Sequence, residues 1–465
     1  MHPDLPVPQR SVQETLAICE RFRIVCVGRT GAGKSRLINH VFQVDDAKVS
    51  NYKPGEANIY SEFTSETNPR FVLHDSQGFE PVSESTFDVV RDFIIQKSDK
   101  KLKLPERLHA VWLCIKTPIA GARVLEIGDE KLLQLGEECK VPVVVVFTQY
   151  DKLIRKHIAT KEKTIKDQKE LREWSNNQAT KDFERCVASL ENAVTRLKLS
   201  MMPNYMNVSV TANYTGNISP LVEMTRELVE KHQRSEEADL WVVWATAQQV
   251  DLPLKMEACV GKGMNYYWRA LSGALPLAGN ALLRDALVRV HEDIIACWNF
   301  KDAKAVLTSD EFKHLMVYVV QDMKDGHPKS SLPEIDKINQ FVSLCTAATA
   351  SFAPPAAILG LTFLFVKWLS DAALENASEV HRVLLAYIMD LILVMEELFK
   401  IALQPKVFGR ISWTELEEAF EAYGRTGSPV KIHEGIRMLV EQDAGLEGKV
   451  ATIRRGVENL LQQHR

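Results

Sequence analysis

The chain reads as two parts: an α/β domain with a mainly parallel, three-layer sheet over residues 1–240, then an all-helical domain over 241–465. Three observations predict this. From residue 22 to about 235, short apolar runs alternate with polar amphipathic stretches, the pattern of strands joined by crossover helices. After the polar SEEAD at 235–239 the strand signals stop, and apolar residues recur at helical spacing. At 465 residues the chain exceeds one ordinary core and calls for two or three domains.

The elements follow in order. Ser11 to Glu14 forms a capping-box pattern that opens a short helix over 11–20. Strands are predicted at 22–27, 57–63, 70–74, 108–115, 142–147 and 206–210, with Pro69 turning the second into the third as a hairpin. The charged stretch 156–198 predicts one or two solvent-facing helices that extend the domain. Beyond 240, Leu283, Ala286, Leu287, Val290, Ile294, Ile295 and Trp298 form an apolar helical stripe. Residues 382–403 predict a core helix that carries Asp390, Glu396 and Glu397; Ser412 to Glu415 opens another helix, and 424–429 breaks it.

Composition narrows the function classes. With 46% hydrophobic and 25% charged residues, a formal net charge of −4 and a pI near 6.3, the chain lacks the basic footprint of a nucleic-acid binder. The basic run 97–107 reads as a solvated loop. Eight cysteines without a C-x-x-C pair suit reduced, packed thiols. The N-terminal segment has no apolar signal core. Together these point to a protein that is not secreted and works in the cytoplasm.

The chemistry is concentrated in residues 28–35, GRTGAGKS, which follow the apolar run 22–27. This is the phosphate-cradling G-x-x-x-x-G-K-S loop. Gly28, Gly31 and Gly33 allow successive N–H groups to turn inward at an anion. Lys34 reaches the β- and γ-phosphates, the Ser35 hydroxyl sits on Mg²⁺, and the following helix adds its positive N-terminus. The whole loop, with Arg29, Thr30, Ala32 and the next residue Arg36, is the candidate phosphate site. Downstream, the strand over 70–74 ends in D-x-x-G, where Asp75 serves Mg²⁺ through water and the Gly78 N–H meets the γ-phosphate. Lys34, Gln77 and Gly78 are the catalytic candidates. The strand over 142–147 ends in Thr148-Gln149-Tyr150-Asp151, and a carboxylate at Asp151 accepts from both N1–H and the 2-amino group of guanine. Adenine would leave that charge unpaired. The last strand runs into Thr211 and Ala212, whose backbone can bond the guanine oxygen.

In the order GRTGAGKS, DSQG, TQYD, VTA, these motifs resemble the translation-factor-related class of P-loop GTPases, with its Ras-like, Era-like and septin-like members. FVLHDSQGFEP and the stretch YYWRAL…HEDIIACWNF…VVQD resemble the fungal G-domain-containing proteins. The resemblance implies a P-loop domain that binds GTP or GDP with Mg²⁺ and hydrolyses GTP. Three departures stand out. Gln149 replaces the lysine that packs along the base, Phe79 follows D-x-x-G, and residues 50–56 contain no switch threonine, with Ser50 and Thr64 poorly spaced for the role. Slow intrinsic turnover is expected, with a partner or a second copy supplying what is missing. The alternatives are a scaffold that binds without cleaving and a P-loop ATPase.

Residues 338–366 carry no charge, are interrupted by Pro354-Pro355 and are followed by Lys367-Trp368. They suit a buried helical hairpin, a membrane-inserting one or a partner interface.

Overall fold

The computed structural model describes residues 11–44, 59–65, 68–75, 84–119, 123–211, 214–232, 239–272, 279–302, 305–323, 377–404, 407, 410–441, 456–457 and 459–461. It divides into one compact unit of Glu14–Asp251 and a second made of Met1–Gln13 with Leu252–Arg465.

A short helix, α1 (Val12–Ile18), precedes a six-stranded sheet. Its strands are β1 (Phe22–Val27), β2 (Phe63–Ser65), β3 (Asn68–Asp75), β4 (Ala110–Lys116), β5 (Val143–Thr148) and β6 (Asn204–Asn207), in the order β2-β3-β1-β4-β5-β6. All pair in parallel except the short β2, which lies antiparallel to β3. Every residue of β1 is buried, as befits a central strand covered on both faces. One face packs Val25, Val27, Val111, Leu113, Val145 and Phe147 under α3 (Glu84–Lys97), α4 (Ile127–Cys139) and α6 (Gln168–Leu197). On the other face Phe42 of α2 (Lys34–Phe42) stacks on Phe71 at 3.7 Å between ring centroids, and Trp112 meets Trp244 edge-on at 6.0 Å.

Trp244 belongs to α8 (Leu240–Ala247), and its indole N–H donates to the Val222 carbonyl on α7 (Ile218–His232) at 3.0 Å. The described boundary therefore falls after Asp251, and α8 lies inside the first unit although the sequence division at 240/241 separates it. Trp244 is fully buried, with its ring against Phe22, Phe42 and Trp112 of the same unit.

Several elements differ from the sequence expectation. The second strand is Phe63–Ser65, later and shorter than 57–63, because Ile59 and Tyr60 form a turn. Pro69 stands inside β3, near its start, where a missing N–H is tolerated. The adjacent Asn68 is buried and donates 2.8 Å hydrogen bonds to the carbonyls of Phe42 and Ala247. The sixth strand ends at Asn207, after which Val208 N donates to Phe147 O at 2.8 Å. The charged stretch is two helices, α5 (Tyr150–Lys161) and α6, the latter capped by Asp167. Phe183, Cys186, Leu190 and Ala193 make α6 half core, not solvent-facing all round.

In the second unit, α9 (Leu252–Ser272), α10 (Gly279–Trp298), α11 (Asp310–Val319), α13 (Trp413–Arg425) and α14 (Ser428–Glu441) all contact α12 (Ala377–Ala402). From Val383 to Met395 every residue of α12 is buried, so it is the core helix the sequence predicts. The Ser412–Glu415 capping box and the break at Gly427 are both present. Lys255 is wholly buried and caps α10, its ammonium donating to the carbonyls of Cys297 and Trp298 at 3.3 Å each. Burial pulls its pKa down to about 7. Among the described residues no helix is long and apolar enough to cross a membrane; the segment 338–366 lies outside them. The seven described cysteines are all free.

Three buried histidines have defined tautomers and neutral rings. His109 accepts from Arg23 N at Nδ1 (2.9 Å), which leaves its Nε2–H to donate to Leu104 O (3.0 Å). His74 donates from Nδ1 to Ile59 O (2.7 Å) and accepts from the Arg23 guanidinium at Nε2 (2.7 Å). His291 donates to Leu307 O (2.7 Å) and accepts from the Tyr387 hydroxyl (2.9 Å). Burial lowers all three pKa values from 6.5 to about 4. Depressed native values mean stability present above pH 6.5 that is lost as pH falls towards 4, up to about 3 kcal/mol per ring. Melting temperature measured from pH 7.5 to 4.5 should fall steeply below 6.5, and His109→Gln should flatten the slope. An unchanged slope in that variant would contradict the assignment for His109.

Candidate functional site

The loop between β1 and α2 is shaped by three positive-φ glycines: Gly28 (φ 150°), Gly31 (φ 75°) and Gly33 (φ 88°). α2 starts directly on Gly33, so its free N–H groups and positive dipole end point into the loop. The Lys34 ammonium is folded back onto the Gly28 carbonyl at 3.0 Å. Ser35, the second residue of α2, is exposed.

The end of β5 closes on this loop. The Thr148 hydroxyl donates to the Ala32 carbonyl. Gln149, held at φ 59°, donates from its amide to the Gly31 carbonyl at 2.7 Å. Asp151 in the first turn of α5 is buried. Its Oδ1 accepts from the Ser209 hydroxyl at 2.7 Å and its Oδ2 from the Thr211 hydroxyl at 3.3 Å, with Arg155 one turn on at 3.4 Å. Gly31 to Leu37, Thr148, Gln149, Asp151, Thr211 and their neighbours enclose a cavity of about 480 Å³, a size suited to a nucleotide.

The structure thus joins Gly31, Ala32, Gly33, Lys34, Ser35 and Arg36 with Thr148, Gln149, Asp151 and Thr211 around one space. Gly28 forms the root of the loop. Arg29 and Thr30 line a second cavity of about 500 Å³ with Ala32, Cys114, Lys116, Arg123 and Asp129. Arg29 is ion-paired with Glu126, the N-cap residue of α4. The Asp129 carboxyl accepts from Glu126 N at 2.9 Å, and burial, reinforced by Glu130, pushes its pKa up to about 6 against the pull of Arg29 and Arg123. Asp75 ends β3 in register with Cys26, which places its backbone beside the start of the loop. Gln77, Gly78, Phe79 and Ala212 lie outside the described residues.

Two participants escape a reading of the sequence alone. Ser209 orients Asp151, a role for which its place two residues before Thr211 is the available signal. Lys116 lines both cavities from the end of β4, and only the register of β4 on β5 reveals it.

Residues 23–149 match the family model described as 50S ribosome-binding GTPase, and residues 306–465 match a domain of unknown function, DUF8505. The chain is 28% identical over 165 residues to GTPase Der of Deinococcus deserti, covering 35% of this chain and 33% of that protein. It is 27% identical over 127 residues to a probable GTP-binding protein EngB of Christiangramia forsetii, covering 27% and 60%. To the corresponding protein of Flavobacterium johnsoniae it is 24% identical over 143 residues, covering 30% and 64%. The chain thus spans 33% to 64% of the length of these relatives. A crystal structure of a probable GTP-binding protein engB aligns over 45% of this chain and 99% of that chain, with 16% identity and a TM-score of 0.28. The family match over residues 23–149, with the strand order, identifies a P-loop GTPase domain of the translation-factor-related class within the first unit.

Proposed function

We propose that the chain binds GTP and GDP, hydrolyses GTP slowly, and uses the nucleotide state as a switch read out by its helical part. One observation carries this: Asp151 is buried, with both carboxylate oxygens held by hydroxyls, and lines the same cavity as Lys34. Phosphate and guanine recognition thus share one space. The hydroxyl of Ser35 at the loop and the carboxylate residue Asp75 at the β3 end are the hard oxygen donors that Mg²⁺ prefers. Bound there, the ion would neutralise phosphate charge. Lys34 binds the terminal phosphates, and the N-terminus of α2 holds the remainder.

The missing threonine in 50–56 and Phe79 after D-x-x-G favour slow turnover, aided by a second copy or an activating protein. The same departures support the second reading, a scaffold that binds GTP without cleaving it. Phosphate release measured against protein concentration separates the two: cleavage that rises with concentration supports the switch, and none at any concentration supports the scaffold. In the switch reading the apolar segment 338–366 contacts a membrane or partner from the cytoplasmic side, and the fungal G-domain-containing proteins are the relatives this resembles.

Base recognition has its own test. Asp151→Asn should weaken GTP binding at least about a hundredfold, since a carboxylate accepting two N–H groups becomes an amide. The variant should prefer xanthine nucleotide, whose 2-oxo group accepts from the new amide, and Lys34→Ala should bind neither. Competition titration with ATP, GTP and XTP checks this; unchanged GTP affinity in both variants would overturn the site.

A further inference from the structure

Two features at the rim of the nucleotide cavity are incomplete. The first is the Gln149 side chain. Its amide nitrogen is used on the Gly31 carbonyl, but its Oε1 is buried and has no hydrogen-bond partner. A buried acceptor left unpaired costs about 1–3 kcal/mol, so this arrangement calls for a donor. The second is Lys116. It is the last residue of β4, exposed, and lies opposite Thr148, the chain neighbour of Gln149, in the β4–β5 register. It lines the cavity that holds Lys34 and Asp151, and among the described residues no carboxylate is paired with its ammonium.

A nucleoside triphosphate brings about four negative charges at neutral pH and needs several cations around it. Within the loop, Lys34 is one such cation. Lys152 also lines the cavity, one residue beyond Asp151, but the position directly after Thr148 is uncharged, so no cation stands at the loop carbonyl that Gln149 holds. The lysine stem of Lys116 is long enough to move its ammonium while its strand stays fixed.

We infer that Lys116 is a nucleotide-contacting residue, which supplies from the end of β4 the positive charge that Gln149 lacks, donating to Gln149 Oε1 and to the bound guanine nucleotide. This rests on the reading of the cavity as a GTP site. It makes Lys116 and Gln149 a working pair at the ends of adjacent strands: the amide fixes the loop through Gly31, and the ammonium completes the amide and faces the ligand.

The test measures the affinity of the full chain for fluorescent GTP and GDP. Lys116→Ala should weaken both roughly tenfold without lowering the melting temperature of the nucleotide-free protein, in which the side chain is exposed and Gln149 Oε1 is unpaired. Adding Gln149→Lys to that variant should recover most of the loss, since a lysine at 149 restores the cation from the neighbouring strand. Wild-type affinity in Lys116→Ala, or a double variant as weak as Lys116→Ala, overturns the inference while leaving GTP binding intact. Absence of GTP binding by the unmodified protein overturns the nucleotide reading, and this inference with it.

Discussion

Gly28→Ala should abolish nucleotide binding and destabilise the first unit by several kcal/mol. A Cβ built on Gly28 would stand 2.1 Å from the Cys114 carbonyl oxygen, far inside van der Waals contact. That oxygen is backbone of β4, locked by the pairing of Val27 with Leu113 and of Cys114 with Val146. Relief would require the central ladder to open, and overpacking of this kind costs about 1–3 kcal/mol or more. The φ of 150° adds strain for an L-residue. The loop that follows would move with it, and Lys34 would lose the Gly28 carbonyl as its anchor. Gly31→Ala is the control. A methyl group added at Gly31 would find nothing within 4 Å, so only the left-handed φ of 75° opposes it, a cost of about 1 kcal/mol. Thermal melts of the two variants with and without GTP should differ sharply. Equal losses would show that close approach to β4 is not what reserves position 28 for glycine.

Asp390→Ala should be the most damaging single change in the second unit. The carboxylate is fully buried in α12, accepting from the Tyr423 hydroxyl at 2.5 Å and His433 Nε2 at 2.8 Å. It therefore pins α13 and α14 to the central helix. Removing it leaves two buried polar groups without that partner, and breaking a buried pair in this way costs about 3–5 kcal/mol. For a unit of this size that corresponds to about 10 °C in its transition. Asp390→Asn keeps an acceptor oxygen for Tyr423 and should lose less. Calorimetry of the full chain reads both; a shift below about 2 °C in Asp390→Ala would refute the anchoring role.

Legibility follows the range of the interactions. The P-loop, β1 and the core helix α12 are readable because each depends on residues adjacent in the chain: glycine freedom, an unbroken apolar run, an apolar stripe. Asp390 is visible as an acidic residue in an apolar helix, yet its partners Tyr423 and His433 lie 33 and 43 residues away. Position 240 looks like a boundary because strand signals end there. Only the packing of Trp244 on the sheet shows that α8 belongs to the first unit. β2 departs from expectation for a similar reason, since a strand of three residues leaves almost no periodicity to detect.

The sequence by itself marked 28–35 as the candidate phosphate loop and Asp151 as the carboxylate expected to face guanine. Those are local expectations, since spacing within each short motif limits where backbone N–H groups and one side chain can go. Tertiary structure decided what surrounds them. It set Thr148 and Gln149 on the loop carbonyls, gave Asp151 its hydroxyl partners, turned Arg29 towards Glu126, and brought Lys116 to the rim of the cavity. Each of these contacts depends on strand order and register, which join residues tens of positions apart and leave no trace in spacing.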